Sequence, residues 1–155
     1  MDAMSILRSC RKAEQDKERL EQLIAQRREV LDSLSGPRMD PNGGGKGSPD
    51  PDKTGRIVAD IDELERKLQQ RRDEHEVEKV AVTAMMDWLP IVEGKVLHKY
   101  YVSRMTTGEI AKAEHYKEEY IRKIKSRGER LLKMVDGARV DELAPRWYRE
   151  RREEG

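Results

Sequence analysis

The chain has 155 residues, 35% of them hydrophobic and 41% charged, with no Phe and a formal net charge of +1. So lean an apolar content excludes a thick globular core and fits elongated helices that each bury one stripe; a single cysteine, Cys10, excludes an internal disulfide. The charge is uneven: residues 95–133 carry eleven Lys/Arg against five Glu, as expected where one basic module meets a polyanion and the remainder is mildly acidic.

Residues 3–35 follow a 4-3 alternation through Ile6, Cys10, Ala13, Lys17, Leu20, Ile24, Arg27, Leu31 and Leu34, without Gly or Pro. That spacing predicts a long amphipathic helix of coiled-coil type. Residues 35–55 (SGPRMDPNGGGKGSPDPDKTG) have little to bury and are rich in Gly and Pro, so a flexible loop is expected there. A second 4-3 seam runs through Ile57, Ile61, Leu64, Leu68, Arg71, His75, Glu78, Val82, Met85 and Leu89. Folding the two helices into an antiparallel hairpin sets Leu34 near Ile57 and Ile24 near Leu68, and brings the polar stretches of both seams together. A dimer of two chains satisfies the same stripes, so the hairpin is also a candidate homodimer surface.

Pro90 lacks an N–H and biases Leu89 away from helix, which ends or kinks the second helix and suits the first turn of the next. A third helix is expected over 91–102, with Val92, Val96, Leu97, Tyr100 and Tyr101 inward. TTGE at 106–109 has the T-x-x-E form of a capping box and starts a short helix over 109–113. Residues 114–116 make a break, and another helix begins near Lys117, with Glu118 and Glu119 suiting the positive end of its dipole. The expected organisation is all-α: a hairpin over 1–89, a helix-turn-helix module over 90–135, and a charged tail over 136–155. In that tail Trp147 and Tyr148 either dock on the body or fray.

At 100° per residue, Ile121, Ile124, Gly128, Leu131 and Leu132 fall on one arc of the last long helix. Glu119, Arg122, Lys123, Ser126 and Arg130 fall opposite, with Arg127 at the edge. The first arc is the expected buried face. The second offers cations for phosphates and guanine edges and a carboxylate for a cytosine amino group. A solvated helix with Glu118–Arg122 and Glu119–Lys123 pairs fits the same pattern. Gly128 reads either as a close-packing position or as a weak point in the helix. Tyr116 and Tyr120 face either nucleic acid or the core, packing being the simpler assignment.

The stretch VLHKYYVSRMTTGEIAKAEHYKEEYIRKIKSRGERLLKMV resembles the C-terminal (region 4) helix-turn-helix of sigma factors in its order of elements. The whole chain resembles phage and prophage transcriptional regulators of the RinA/ArpU type, including the D-K-T-G stretch at 52–55 before a V-x-x-I-x-E-L helix. This resemblance implies base-reading roles for Glu118, Glu119 and Lys123 and backbone contacts from Arg122 and Arg127. Lys117 departs from the pattern, which has Ser or Thr there to cap the helix; the loss costs about 1 kcal/mol, and Lys117 is offered to a phosphate instead. The implied function is sequence-specific binding of double-stranded DNA as a transcription activator of late genes, with host RNA polymerase as a further partner. A DNA-packaging recognition subunit and a helical adaptor that binds no DNA are the alternatives.

His75, His98 and His115 stand at no metal-ligand spacing with one another or with Cys10, and no nucleophile–base pairing is visible, so no cofactor, metal or enzymatic activity is expected. No apolar run approaches the roughly 18 residues of a membrane span, and no signal segment follows Met1, so the expected setting is the cytoplasm of a bacterial host, without a membrane partner.

Overall fold

The computed structural model describes residues 1–35 and 51–154. Among these the protein is all-helical, with α1 (Ala3–Ser35), α2 (Pro51–Met86), α3 (Ile91–Tyr101), α4 (Thr107–Glu114), α5 (Glu118–Lys133), α6 (Gly137–Asp141) and α7 (Arg146–Glu154). The expected 35–55 loop is helical at both of its ends. Ser35 is still in α1, and residues 51–55 already belong to α2. Pro51 opens that helix, where a missing N–H costs nothing, and Asp52 in the first turn complements the dipole. The rest of the expected loop, 36–50, lies outside the described residues. No described helix is long and apolar enough to cross a membrane.

The described residues fall into two compact units, one within Gln15–Arg72 and one within Met1–Glu14 and Asp73–Gly155. In the first, α1 and α2 run antiparallel as a hairpin. Ile24, Ile57, Ile61 and Leu68 are buried together, with Leu20, Leu31, Leu34 and Leu64 packed around them, which is the register the two seams predict. Ion pairs follow the same register: Arg71 Nε to Asp16 Oδ2 at 3.1 Å, Arg72 to Glu21 at 3.6 Å, and Arg28 to Glu65. Arg27, a seam position by spacing, is exposed.

In the other unit, Ala3, Met4, Ile6, Leu7 and Cys10 from the start of α1 meet Ala81, Val82 and Met85 from the end of α2. Leu97 and Tyr101 of α3, Leu132 of α5 and Val140 of α6 complete this core. The sequence boundary at Pro90 therefore lies inside one unit. Pro90 does cap α3 (φ −54°, ψ 149°), as its ring geometry favours. Gly94 allows the close return, since a Cβ there would lie 2.9 Å from the Met86 carbonyl oxygen.

The charged tail is ordered as α6 and α7. Asp136 caps α6 by accepting from the Ala138 N–H at 3.0 Å. On α7, Tyr148 is fully buried and its hydroxyl donates to Glu78 Oε2 at 2.9 Å, while Trp147 stays at the surface. Arg151 pairs with Glu74 at 3.0 Å, and Arg152 donates to Ser9 Oγ at 3.2 Å and to Ser5. One buried ring and two guanidinium contacts hold a segment whose composition reads as solvated. Two seam positions of α2 that looked like departures from the apolar pattern, His75 and Glu78, are buried polar groups with partners. His75 Nδ1 lies 3.5 Å from Glu14 Oε1, and Glu78 accepts from Tyr148.

Candidate nucleic-acid interface

The candidate interface is built on α3, α4 and α5, which enclose Val96, Ile110, Ala111, Ile121 and Ile124, with Tyr100 and Met105 at the margin. The capping box forms as its spacing predicts: the Glu109 N–H donates to Thr106 Oγ1 at 3.1 Å, and the Thr106 N–H reaches Glu109 Oε1 at 3.5 Å. Helix α4 starts two residues earlier than expected and runs through Glu114. His115 ends it in the left-handed conformation (φ 60°, ψ 40°), with the Tyr116 N–H bonded to the Ala111 carbonyl at 2.9 Å. Only residues 115–117 separate α4 from α5, and Lys117 stands as N-cap of α5 with no side-chain capping bond.

Close crossing of α3 and α5 depends on Gly128. A Cβ there would lie 2.9 Å from Leu97 Cδ1 and 3.3 Å from Glu93 Cβ, so the close-packing reading of this glycine holds. Glu93 is the buried carboxylate of α3, and Arg127 Nη1 donates to it at 3.2 Å. Spacing had placed Val92 inward instead; Val92 is exposed, because α3 turns Glu93 and Leu97 toward α5. Leu131, expected on the buried arc, is also exposed, whereas Ile121, Ile124, Gly128 and Leu132 are buried.

Further contacts brace the arrangement. Lys95 and Lys99 of α3 converge on Glu114 at the end of α4, Lys95 at 3.1 Å. The hydrogen bonds from Lys99 and then Lys95 hold the Glu114 carboxyl below the usual carboxylate range. Arg11 of α1 donates to the Met105 carbonyl at 3.1 Å and to that of Tyr100, closing the end of α3. Its guanidinium lies 3.8 Å from the Tyr100 ring centroid, and Lys125 lies 4.4 Å from the same ring. Tyr101 donates to Glu129 at 3.2 Å; burial, then the Glu129 charge, push its hydroxyl well above the ordinary tyrosine value.

All eight residues singled out on the basic helix are exposed: Lys117, Glu118, Glu119, Arg122, Lys123, Ser126, Arg127 and Arg130. Six of them, Glu119, Arg122, Lys123, Ser126, Arg127 and Arg130, line one shallow depression of about 350 Å³ along the outer side of α5. Lys117 and Glu118 lie outside it. Glu118 is engaged locally, accepting from Thr107 Oγ1 at 2.9 Å and from Arg122 Nη2 at 2.8 Å. It ties the start of α4 to the start of α5 and aims Arg122. Lys123 and Arg130 make no ion pair among the described residues, so their charges are not consumed by folding.

Periodicity located this arc because α5 is strongly two-faced. It missed Glu93, whose partner lies 34 residues away, and the exposure of Tyr116 and Tyr120, which depends on where the turn points them. The five apolar residues at the centre and the charged residues outside give α5 one buried and one solvent-facing side. No protein-family model matches the chain, and no curated protein and no solved structure matches it either.

Proposed function

We propose that this chain is a sequence-specific, double-stranded-DNA-binding transcription regulator of the phage or prophage type, an activator of late genes. In this reading α4 and α5 act as a sigma-like helix-turn-helix, with α5 set into the major groove and α4 behind it. The observation that carries the reading is the outer arc of α5, where Arg122, Lys123, Arg127 and Arg130 face solvent beside Glu119 and Ser126. Lys123 and Glu119 are the side chains free to address base edges. Arg122 and Arg127, each steadied by a carboxylate of its own unit, suit phosphates at fixed positions, as does Lys117 at the helix start. Glu118 acts through Arg122 rather than on a base.

The hairpin supplies a homodimer surface or a contact for host RNA polymerase. Val30 and Val58 remain exposed on it and Leu31 and Leu34 are only half-buried, which suits a second helical surface. The test is selection of bound duplexes from a random pool with the full chain. A single enriched motif that maps near a promoter is expected; a pool without enrichment contradicts the reading. A solution mass of one or two chains accompanies this account, whereas a ring of many copies would fit a DNA-packaging subunit.

A further inference from the structure

The leading end of α5 leaves two aromatic rings in solvent. Tyr116, in the turn, is 53% exposed, and Tyr120, in the first turn of α5, is 45% exposed. Their ring centroids are 5.0 Å apart with planes tilted by 56°. Neither ring belongs to the buried cluster of α3, α4 and α5. The backbone beneath them is fixed, with the Tyr116 N–H bonded to the Ala111 carbonyl at 2.9 Å and the Tyr120 N–H to that of Lys117 at 3.1 Å. Two adjacent rings on this backbone make an apolar facet, and a tyrosine ring orders on binding at low conformational-entropy cost.

The surroundings of the facet name its partner. Exposed Lys117 lies between the two tyrosines in sequence, and Lys123 and Arg127 follow Tyr120 at i+3 and i+7, on its flank of the helix. An apolar facet set among cations fits a polyanion that presents apolar spots. Duplex DNA has one such spot in the major groove, the thymine 5-methyl group. Residues at the N-terminal end of a groove-bound helix are the ones that reach base edges.

We propose that the Tyr116–Tyr120 pair packs against thymine methyl groups in the major groove and sets a thymine preference at the end of the site read by the start of α5. This rests on the DNA-binding reading above and adds to it a subsite that specifies by apolar contact, while the cationic arc supplies charge and hydrogen bonds. The rings do the reading; the hydroxyls stay in water.

The test uses the duplex recovered by selection, with each thymine replaced singly by deoxyuridine, which removes the methyl group alone. The full chain is expected to lose about four-fold in affinity at one or two adjacent positions, the effect of one buried methyl. Tyr116→Phe and Tyr120→Phe keep that loss. The double variant Tyr116→Ala, Tyr120→Ala still binds but no longer distinguishes thymine from deoxyuridine. Both rings lie outside the buried cluster, so the double variant should still melt cooperatively, which checks that the fold is intact. Three results overturn the inference while leaving DNA binding standing: no sensitivity to deoxyuridine at any position, sensitivity that survives the double Ala change, or loss of sensitivity in the Phe variants, which would point to a hydroxyl–phosphate contact. A chain that binds no duplex overturns both.

Discussion

At the scale of single residues, Arg127 and Gly128 are neighbours with opposite vulnerabilities. Arg127 donates to Glu93, a carboxylate that is 7% exposed, whereas Arg122 pairs with Glu118 in the open. Removing Arg127 strands Glu93 in the α3–α5 contact, so Arg127→Ala should cost about 1–3 kcal/mol. Arg122→Ala should cost less than about 0.5 kcal/mol, the usual worth of an exposed i,i+4 pair. Urea denaturation of the two variants checks the ordering, and Glu93→Gln in the Arg127→Ala background should recover part of the loss. Equal, small effects would mean that Glu93 is not dependent on Arg127. Gly128→Ala sets two effects against each other. Helix propensity favours Ala by about 1 kcal/mol, but the new methyl would sit 2.9 Å from Leu97 Cδ1 and 3.3 Å from Glu93 Cβ, and Leu97 is completely buried. Overpacking of that kind costs about 1–3 kcal/mol, so net destabilisation is expected in the same denaturation experiment; a stabilised variant would show that α3 yields.

At the scale of elements, Glu114 is the joint between α3 and α4. A carboxylate at a helix C-terminus opposes the helix dipole, and Lys99 and Lys95 offset that by holding it ionised. Its folded pKa lies below its unfolded value. Between those two values the unfolded chain binds more protons, so stability falls as pH drops through the folded pKa and is fully present above the unfolded one. Thermal melts should therefore show Glu114→Gln less stable than the wild type at neutral pH, with the gap closing in acid; a gap independent of pH would contradict this role. The elements themselves were largely legible. Ile24, Leu68 and Ile57 gave the hairpin register because, once the two stripes are folded against each other, one alignment brings their polar stretches together. Thr106 and Glu109 located the fourth helix because a capping box is local, although the helix itself opens at Thr107, two residues earlier than expected. Legibility failed where the deciding partner is distant in sequence. Glu93 displaced Val92 from the inner face of α3 through Arg127, and Tyr148 rescued the charged tail through Glu78. Residues 51–55 misled because Pro, Asp and Gly signal loops by composition but helix starts by position. In the candidate site, one side of α5 gave away the arc, while the engagement of Glu118 by Thr107 needed the turn at His115, a residue whose type does not announce a left-handed backbone.

At the scale of the whole molecule, a net charge of +1 conceals a basic surface concentrated on one helix. That contrast makes ionic strength the most direct probe of the account. Each cation that displaces a counterion from DNA steepens the fall of affinity with salt, and the effect is a property of the assembled face rather than of any one contact. Lys117 is the cleanest variant for this purpose, because it is assigned to a phosphate and makes no ion pair among the described residues. Changing it removes a charge proposed to face DNA without releasing a buried carboxylate, as changing Arg127 would. The deciding measurement is a titration of the full chain with its selected duplex across a range of salt concentrations, for the wild type and Lys117→Ala. The account predicts affinity that falls steeply with salt in the wild type and a slope shallower by about one unit in Lys117→Ala. A flat salt response, unchanged by the substitution, would contradict it.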